Sequence, residues 1–237
     1  KKITFPGLRW VSLYWIFAIT SFLMCVTLIF TNFPEKKKPG RENKEKLNNY
    51  IVLIKNPIVI LYFFGIFSYV GLEQGVANWI SKFLEIYHSL DPQNMGAKII
   101  SYFWGLMTLG TFSGLFLLKK IDSRKILIFF TSASIISLLI SLFGPLKVSL
   151  FSFPLIGFFI SIMWSIIISL ALNSISKNHG AFSGILVSGI IGGAVFPLII
   201  GILADFAGLK VGMSLLLIPL LFILSIGFWS RPLVNNK

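Results

Sequence analysis

The sequence predicts an all-α polytopic membrane protein, a bundle of seven transmembrane helices. Of its 237 residues, 56% are hydrophobic and 12% are charged, and this charged fraction is about half that of a typical soluble domain. Apolar stretches of about 20 residues recur along the chain, and each is long enough to cross the hydrocarbon core as a helix. Transmembrane β-strands are excluded because they are about half as long and alternate in polarity.

Seven predicted spans follow one another, and Glu73 is the one charged residue inside them. The first span follows Lys1 and Lys2, and its apolar stretch is longer than the ~7–15 residues of a signal-peptide core, so we interpret it as a true span. In chain order the spans cover residues 10–30, 57–81, 99–118, 126–146, 148–172, 181–204 and 211–230.

Basic residues in the connections predict the orientation of the bundle. The connections on one side, which include the long linker and the C-terminus, hold 14 Lys and Arg, and the opposite side holds 7. By the positive-inside rule the long linker and the C-terminus are predicted to be cytoplasmic. The formal charge of +13 is therefore interpreted as a signal that orients the protein in the membrane. The predicted partner is the lipid bilayer, and no nucleic acid is expected as a partner.

Three polar residues in the second span predict a solute site. A carboxylate at membrane depth, here Glu73, costs roughly 3 kcal/mol and normally faces a bundle interior or a water-filled cavity. Gln74 follows it, Asn78 lies one turn beyond Gln74, and Tyr69 lies one turn before Glu73 on the same face. Their oxygens and amide nitrogens suit a hydroxylated solute, and Trp164 is a further candidate because aromatic faces stack on sugar rings.

Small residues and prolines predict where helices pack closely or bend. Two pairs of glycines spaced four apart predict close helix contacts, and prolines predict interruptions in the last three spans. The sixth span is the best candidate for a broken helix, and interrupted spans indicate transporter binding sites. The residues concerned are Gly110 and Gly114, Gly189 and Gly193, and Pro154, Pro197 and Pro219.

Neither catalysis nor metal binding is predicted. His88 and His179 lie outside the predicted spans, and no Ser/His or Cys/His pairing falls within them. Cys25 is the only cysteine, so an intrachain disulfide is impossible. The prediction is a protein that is not an enzyme, with no catalytic residue, metal or cofactor.

Several runs of residues resemble the fucose permease-like branch of the major facilitator superfamily, whose members include fucose, glucose and galactose:proton symporters. The resemblance covers about residues 57–230 and is strongest in the two consecutive spans after residue 148. The runs are Tyr69-Val-Gly-Leu-Glu73 with Trp79, Tyr102-Phe-Trp-Gly105, Phe159-Ile-Ser-Ile-Met-Trp164, Ser169-Leu-Ala-Leu172, Gly189-Ile-Ile-Gly-Gly-Ala194 and Gly201-Ile-Leu-Ala-Asp-Phe-Ala-Gly208.

The resemblance implies that this chain corresponds to helices 6–12 of a twelve-helix transporter. Residues 1–31 would be the last helix of the N-terminal half, 32–55 a cytoplasmic basic linker, 56–231 the C-terminal six-helix half and 232–237 a cytoplasmic tail. The missing N-terminal six-helix half would be a partner of this chain. The family's cytoplasmic gating loop corresponds to Lys119, Asp122, Arg124 and Lys125.

The resemblance further implies secondary active transport, with proton-coupled uptake of a hexose-like sugar by alternating access. The corresponding location is a plasma membrane, the inner membrane in a bacterium. Two alternatives stay open on the residues alone: a transporter of a non-sugar polar solute and a seven-helix receptor. Against the receptor alternative, the chain has no Asp-Arg-Tyr after the third span and no Asn-Pro-x-x-Tyr in the last.

Overall fold

The computed structural model describes residues 12–31 and 50–230. It divides the chain into two units, Lys1–Glu42 and Asn43–Lys237. Most of the predicted linker, the first eleven residues and the tail after Ser230 lie outside the described residues.

The described part of the first unit is one apolar helix, α1, over Ser12–Phe30. Its 19 residues extend about 28 Å at 1.5 Å per residue, close to the ~30 Å thickness of a hydrocarbon core. The hydroxyls of Thr20 and Thr27 donate to the backbone oxygens of Ile16 and Met24, at 2.6 and 2.8 Å. The helix therefore satisfies these polar groups internally, as a lipid environment requires.

The described second unit is helical throughout, without a strand. It opens with a short helical segment at residues 50–54. Its further helices are α2 (Pro57–His88), α3 (Ala97–Lys120), α4 (Ser123–Phe143), α5 (Leu146–Ile160), α6 (Met163–Leu172), α7 (His179–Ser188), α8 (Gly192–Ala207), α9 (Leu209–Ser214) and α10 (Leu217–Trp229).

These helices make six candidate membrane spans, and Tyr14–Phe30 is a further, shorter apolar helix. The prediction of an all-α membrane bundle with seven apolar helices is confirmed. The spans are Pro57–His88, Pro92–Lys120, Ser123–Phe143, Leu146–Leu172, His179–Ala207 and Leu209–Trp229. The first of the six ends seven residues after its predicted end at Ser81. Its helix continues past the apolar stretch and ends at His88, where Ser89 adopts a left-handed cap conformation (φ 51°).

The long helix α2 carries much of the core. Asn56 caps it, accepting from the Ile58 amide at 2.9 Å, and Pro57 occupies its first turn, where a missing N–H costs nothing. Side chains along its length are fully buried against the other helices, among them Tyr62, Leu72 and Phe83. By contrast, Pro92–Lys120 and His179–Ala207 are the least buried of the six spans.

The last three spans are interrupted, but mostly not at their prolines. Helix α5 runs unbroken through Pro154, and α8 runs unbroken through Pro197, so the expectation of a break at these two residues was wrong. A proline removes a single N–H donor, and a helix within a bundle tolerates that loss. Only Pro219 lies close to a break, because the residues just before it form i→i+3 hydrogen bonds that separate α9 from α10.

The breaks in the fifth and sixth spans have local causes. At Ser161 the hydroxyl donates to the backbone oxygen of Phe158 at 2.7 Å, and the Ser161 amide also reaches that oxygen. Such side-chain bonds compete with the regular helix ladder. In the sixth span the 3₁₀ segment Gly189–Ile191 separates α7 from α8, where glycine lowers helix propensity.

Candidate functional site

A cavity of about 440 Å³ opens beside the middle of α2. Glu73 is the seventeenth of the 32 residues of α2, so its carboxylate lies near the centre of a span. The cavity is bounded by α2, by the break between α5 and α6, and by the 3₁₀ segment of the sixth span. Its lining residues are Tyr69, Val70, Glu73, Gln74, Ser161, Trp164, Ser165 and Ile190.

Glu73 is the acidic group of this cavity, and its neighbours on α2 are polar. The Gln74 side-chain amide donates to Glu73 Oε1 at 3.3 Å, and the Tyr69 hydroxyl interacts with the same carboxylate. Among the described residues, no Lys or Arg forms an ion pair with Glu73. The carboxylate therefore keeps accepting capacity directed at the cavity, which a solute hydroxyl or a proton can use.

Two aromatic rings close one wall of the cavity. Tyr69 is almost fully buried, and its ring centroid lies 5.8 Å from that of Trp164 with the planes tilted by 58°. Trp164 belongs to α6 and is partly exposed. Because Tyr69 holds one side of the indole, the remaining indole surface is positioned for a ligand to stack on.

The structure adds cavity residues that the sequence interpretation did not select. Ser161 and Ser165 bring hydroxyls from the broken fifth span, while Val70 and Ile190 add apolar surface. Ser161 already donates to Phe158, which leaves its oxygen lone pairs available as acceptors. Their proximity to Trp164 in the sequence, three residues before it and one after it, could have suggested these serines. Their position in the cavity wall, however, depends on the break between α5 and α6.

Asn78 is the one predicted solute-binding residue that does not line this cavity. It lies on α2 one turn beyond Gln74, and its side chain is exposed. The four other predicted residues (Tyr69, Glu73, Gln74 and Trp164) are brought together. The role of Asn78 as a solute contact stays a prediction.

The predicted glycines lie at close helix contacts. A Cβ on Gly110 would lie 2.5 Å from the Phe158 backbone oxygen, and one on Gly114 would collide with the Ile162 side chain. A Cβ on Gly193 would lie 3.0 Å from Gln74 Cγ, and one on Gly189 would lie 3.0 Å from a backbone oxygen of α2. These glycines let α3 and the sixth span pack directly against the segments that bear the cavity.

The predicted gating loop forms a compact cap at the beginning of α4. Asp122 accepts from the Arg124 amide at 2.8 Å and pairs with the Arg124 guanidinium at 3.4 Å, while Arg124 also donates to the Ser230 backbone oxygen at 3.4 Å. Partial burial opposes ionisation of Asp122, but these bonds and the charges of Arg124 and Lys125 outweigh it and hold the Asp122 pKa below its ordinary value. Lys119 and Lys125 are exposed.

Comparison with known proteins gives consistent relatives. The family model of the Major Facilitator Superfamily matches residues 3–189. The chain is 36% identical over 185 residues to the glucose/galactose transporter of Brucella abortus biovar 1 (strain 9-941), covering 76% of this chain and 42% of that protein. It is 31% identical over 190 residues to the putative glucose/galactose transporter of Helicobacter pylori strain J99, covering 79% and 45%.

Among solved structures, the chain is similar to the Major Facilitator Superfamily transporter FucP in its outward conformation. The TM-score is 0.76 at 19% identity, covering 92% of this chain and 54% of FucP. The chain thus spans less than half the length of the two curated transporters above. These relatives are named as transporters, which lends no support to a receptor or an enzyme.

The predicted resemblance to the fucose permease-like branch is confirmed by these relatives together with the shared fold. The helices also confirm a multi-pass membrane protein. The chain belongs to the Major Facilitator Superfamily.

Proposed function

We propose that this chain supplies the C-terminal half of a secondary active transporter that takes up a hexose-like sugar. In this proposal α1 is the last helix of the N-terminal half, and residues 56–231 form the six-helix C-terminal half. The observation that carries the proposal is the cavity at mid-span, where Glu73, Gln74, Tyr69 and Trp164 converge. The two glucose/galactose transporters matched by the chain support a sugar as the solute.

The chemistry of the cavity suits a neutral polyhydroxylated solute. The carboxylate of Glu73 and the oxygens of Ser161 and Gln74 accept hydrogen bonds from sugar hydroxyls, and the amide nitrogen of Gln74 donates one. Trp164 offers an apolar face for the C–H surface of a pyranose ring. The cavity volume of about 440 Å³ falls within the usual range for small-molecule sites.

The helix breaks beside the cavity support alternating access as the mechanism. Two interrupted spans contribute Ser161 and Ile190 to the cavity wall. In transporters, discontinuous helices commonly meet at the midplane site, and one repeat rocks against the other around it. The exposed, apolar spans Pro92–Lys120 and His179–Ala207 are the surfaces we assign to lipid and to the N-terminal half.

Proton coupling and orientation complete the proposal. In the resembling branch the main proton-coupling acids belong to the N-terminal half, so we assign Glu73 to the solute and not to the primary proton pathway. The charge distribution supports a cytoplasmic C-terminus and a cytoplasmic Asp122–Arg124 loop. In a bacterial cell the corresponding location is the inner membrane.

The direct test is exchange of labelled hexoses by the intact transporter in proteoliposomes. Counterflow of glucose, galactose and fucose should each be measured against a pentose and a neutral amino acid. Exchange of at least one hexose in preference to the two other solutes is expected. Exchange of the amino acid alone would replace the sugar with a non-sugar polar solute while leaving the transporter fold in place.

A further inference from the structure

A second cavity, of about 630 Å³, lies between α3 and α5, and we call it the α3–α5 groove. It shares no lining residue with the cavity around Glu73. Its walls are almost entirely apolar, and Phe151 on its rim is exposed, so the groove opens outward from the two helices. The residues that matter most to its shape are Lys98, Tyr102, Gly105, Leu109, Phe151 and Leu155.

The groove has the length of one lipid acyl chain. Its α3 wall runs from Lys98 through Tyr102 and Gly105 to Leu109, residues that recur on a single helix face. At 1.5 Å per residue this wall is about 16 Å long, roughly half the ~30 Å hydrocarbon core and thus the depth of one leaflet. Gly105 provides the space midway, since a Cβ there would meet no atom within 4 Å.

One end of the groove is positively charged. Lys98 lies near the beginning of the span Pro92–Lys120, its side chain is exposed, and its ammonium lies 5.8 Å from the centroid of the Tyr102 ring. Lys147 does not line the groove, but it lies in the first turn of the facing helix α5, one turn before Phe151. It is on the same side of the membrane as Lys98, because one complete span, Ser123–Phe143, separates the two helices. The groove therefore combines an apolar trough with one cation in its wall, Lys98, near the beginning of a span.

The nearby acidic groups are already engaged. Glu85, near the end of α2 on the same side, pairs with Lys82 at 2.8 Å. Asp91 accepts from the Gln93 amide at 2.9 Å and from the side chain of Asn94. Among the described residues, no carboxylate forms an ion pair with Lys98. This leaves the charge of Lys98 available to an external anion.

We propose that the α3–α5 groove is a binding site for one phospholipid with an anionic headgroup. One acyl chain lies along α3 against Gly105, and the headgroup phosphate contacts Lys98, with Lys147 adding to the positive potential. Tyr102 lies between the charged and the apolar part, a position that suits an amphipathic ring at a membrane interface. Basic pockets between transmembrane helices bind anionic headgroups by the same chemistry.

A second protein helix fits the groove less well. Helix contacts in membranes depend on repeated small residues, and the groove face of α3 offers only Gly105 among larger side chains. The small residues Gly110 and Gly114 of α3 are already used against Phe158 and Ile162. A flexible acyl chain, unlike a helix, adapts to such an uneven trough.

The test purifies the intact transporter in mild detergent and measures how much lipid it retains by native mass spectrometry. Phosphatidylglycerol and phosphatidylcholine with identical acyl chains are titrated separately. The wild type should retain one phosphatidylglycerol several-fold better than phosphatidylcholine. Lys98→Gln should lower phosphatidylglycerol retention about fivefold, which corresponds to one basic contact, and leave phosphatidylcholine unchanged.

A second variant tests the apolar part of the site. Gly105→Leu fills the groove and should lower retention of both lipids, whereas Gly180→Leu, the matched control at another glycine with open space around its Cβ, should lower neither. Equal retention of the two lipids by the wild type, or full phosphatidylglycerol retention in Lys98→Gln or Gly105→Leu, would overturn the proposal. Loss of a dimer peak in Gly105→Leu would instead assign the groove to a second copy. Lipid retention is measured without transport, so this experiment tests the lipid proposal independently of the sugar proposal.

Discussion

Replacing Glu73 with glutamine separates two roles that an intramembrane carboxylate can have. Glutamine has nearly the same volume and keeps one oxygen, so the 3.3 Å contact from the Gln74 amide can persist and the cavity keeps its shape. What disappears is the negative charge that accepts from the solute. A hydrogen bond to a charged group contributes about 1.5–3 kcal/mol, so the solute concentration for half-maximal exchange should rise about 10- to 150-fold.

The assay compares exchange with accumulation in proteoliposomes containing the intact transporter. Counterflow exchange needs no proton gradient, whereas uphill accumulation under the proposed proton coupling does. If Glu73 contacts the solute, Glu73→Gln should impair both measurements. The matched control is Glu85→Gln, which removes a carboxylate from the same helix outside the cavity, where it pairs with Lys82; it should change neither.

One result would refute this reasoning directly. Normal half-saturation in exchange together with lost accumulation would assign Glu73 to proton coupling and remove it from the solute site. Normal behaviour in both measurements would remove it from transport altogether.

Three further predictions concern the cavity wall, the packing and the loop. Trp164→Ala should weaken hexose exchange at least several-fold while Trp164→Phe keeps most of it, because a ring face remains; equal loss in both variants would argue against stacking. Gly114→Leu should destabilise the bundle by about 1–3 kcal/mol through overpacking against Ile162, seen as a lower thermal midpoint, with Gly105→Leu as the tolerated counterpart. Asp122→Asn should cost about 0.5 kcal/mol, because asparagine keeps the cap on α4 but loses the ion pair with Arg124. Because the Asp122 pKa lies below its ordinary value, its stabilisation is present above pH ~4 and is lost as pH falls through the folded-state pKa. The difference in thermal midpoint between wild type and Asp122→Asn should therefore shrink in acid, and a difference that grows would contradict the ion-pair account.

Most of the fold was predictable because a lipid environment imposes a simple rule. A segment that crosses the bilayer must satisfy its backbone internally and present apolar side chains, so spans can be recognised from composition and length. The extra turns of α2 up to His88 and the start of the next span at Pro92 were missed, since helices continue past the apolar stretch wherever caps such as Ser89 and Asp91 allow.

The site was predictable in part for a related reason. Tyr69, Glu73 and Gln74 lie on one helix, and helical spacing alone brings them together. Trp164 entered through its aromatic character, but Ser161 and Ser165 did not, because their position depends on the break between α5 and α6. Residue types alone had suggested breaks at Pro154 and Pro197, both of which lie inside continuous helices.

The sequence by itself determined that this protein is a membrane-embedded helical bundle with one acid inside the predicted spans, Glu73, near the middle of a span. Its charge pattern indicated the orientation in the membrane, and its motifs resembled those of the Major Facilitator Superfamily. Only the tertiary structure decided which residues share the cavity with that acid, that Asn78 lies outside it, and that a separate groove runs from Lys98 past Gly105. The physical reason is that apolar length and helical spacing are local properties, whereas cavities form where helices from distant parts of the chain pack and break.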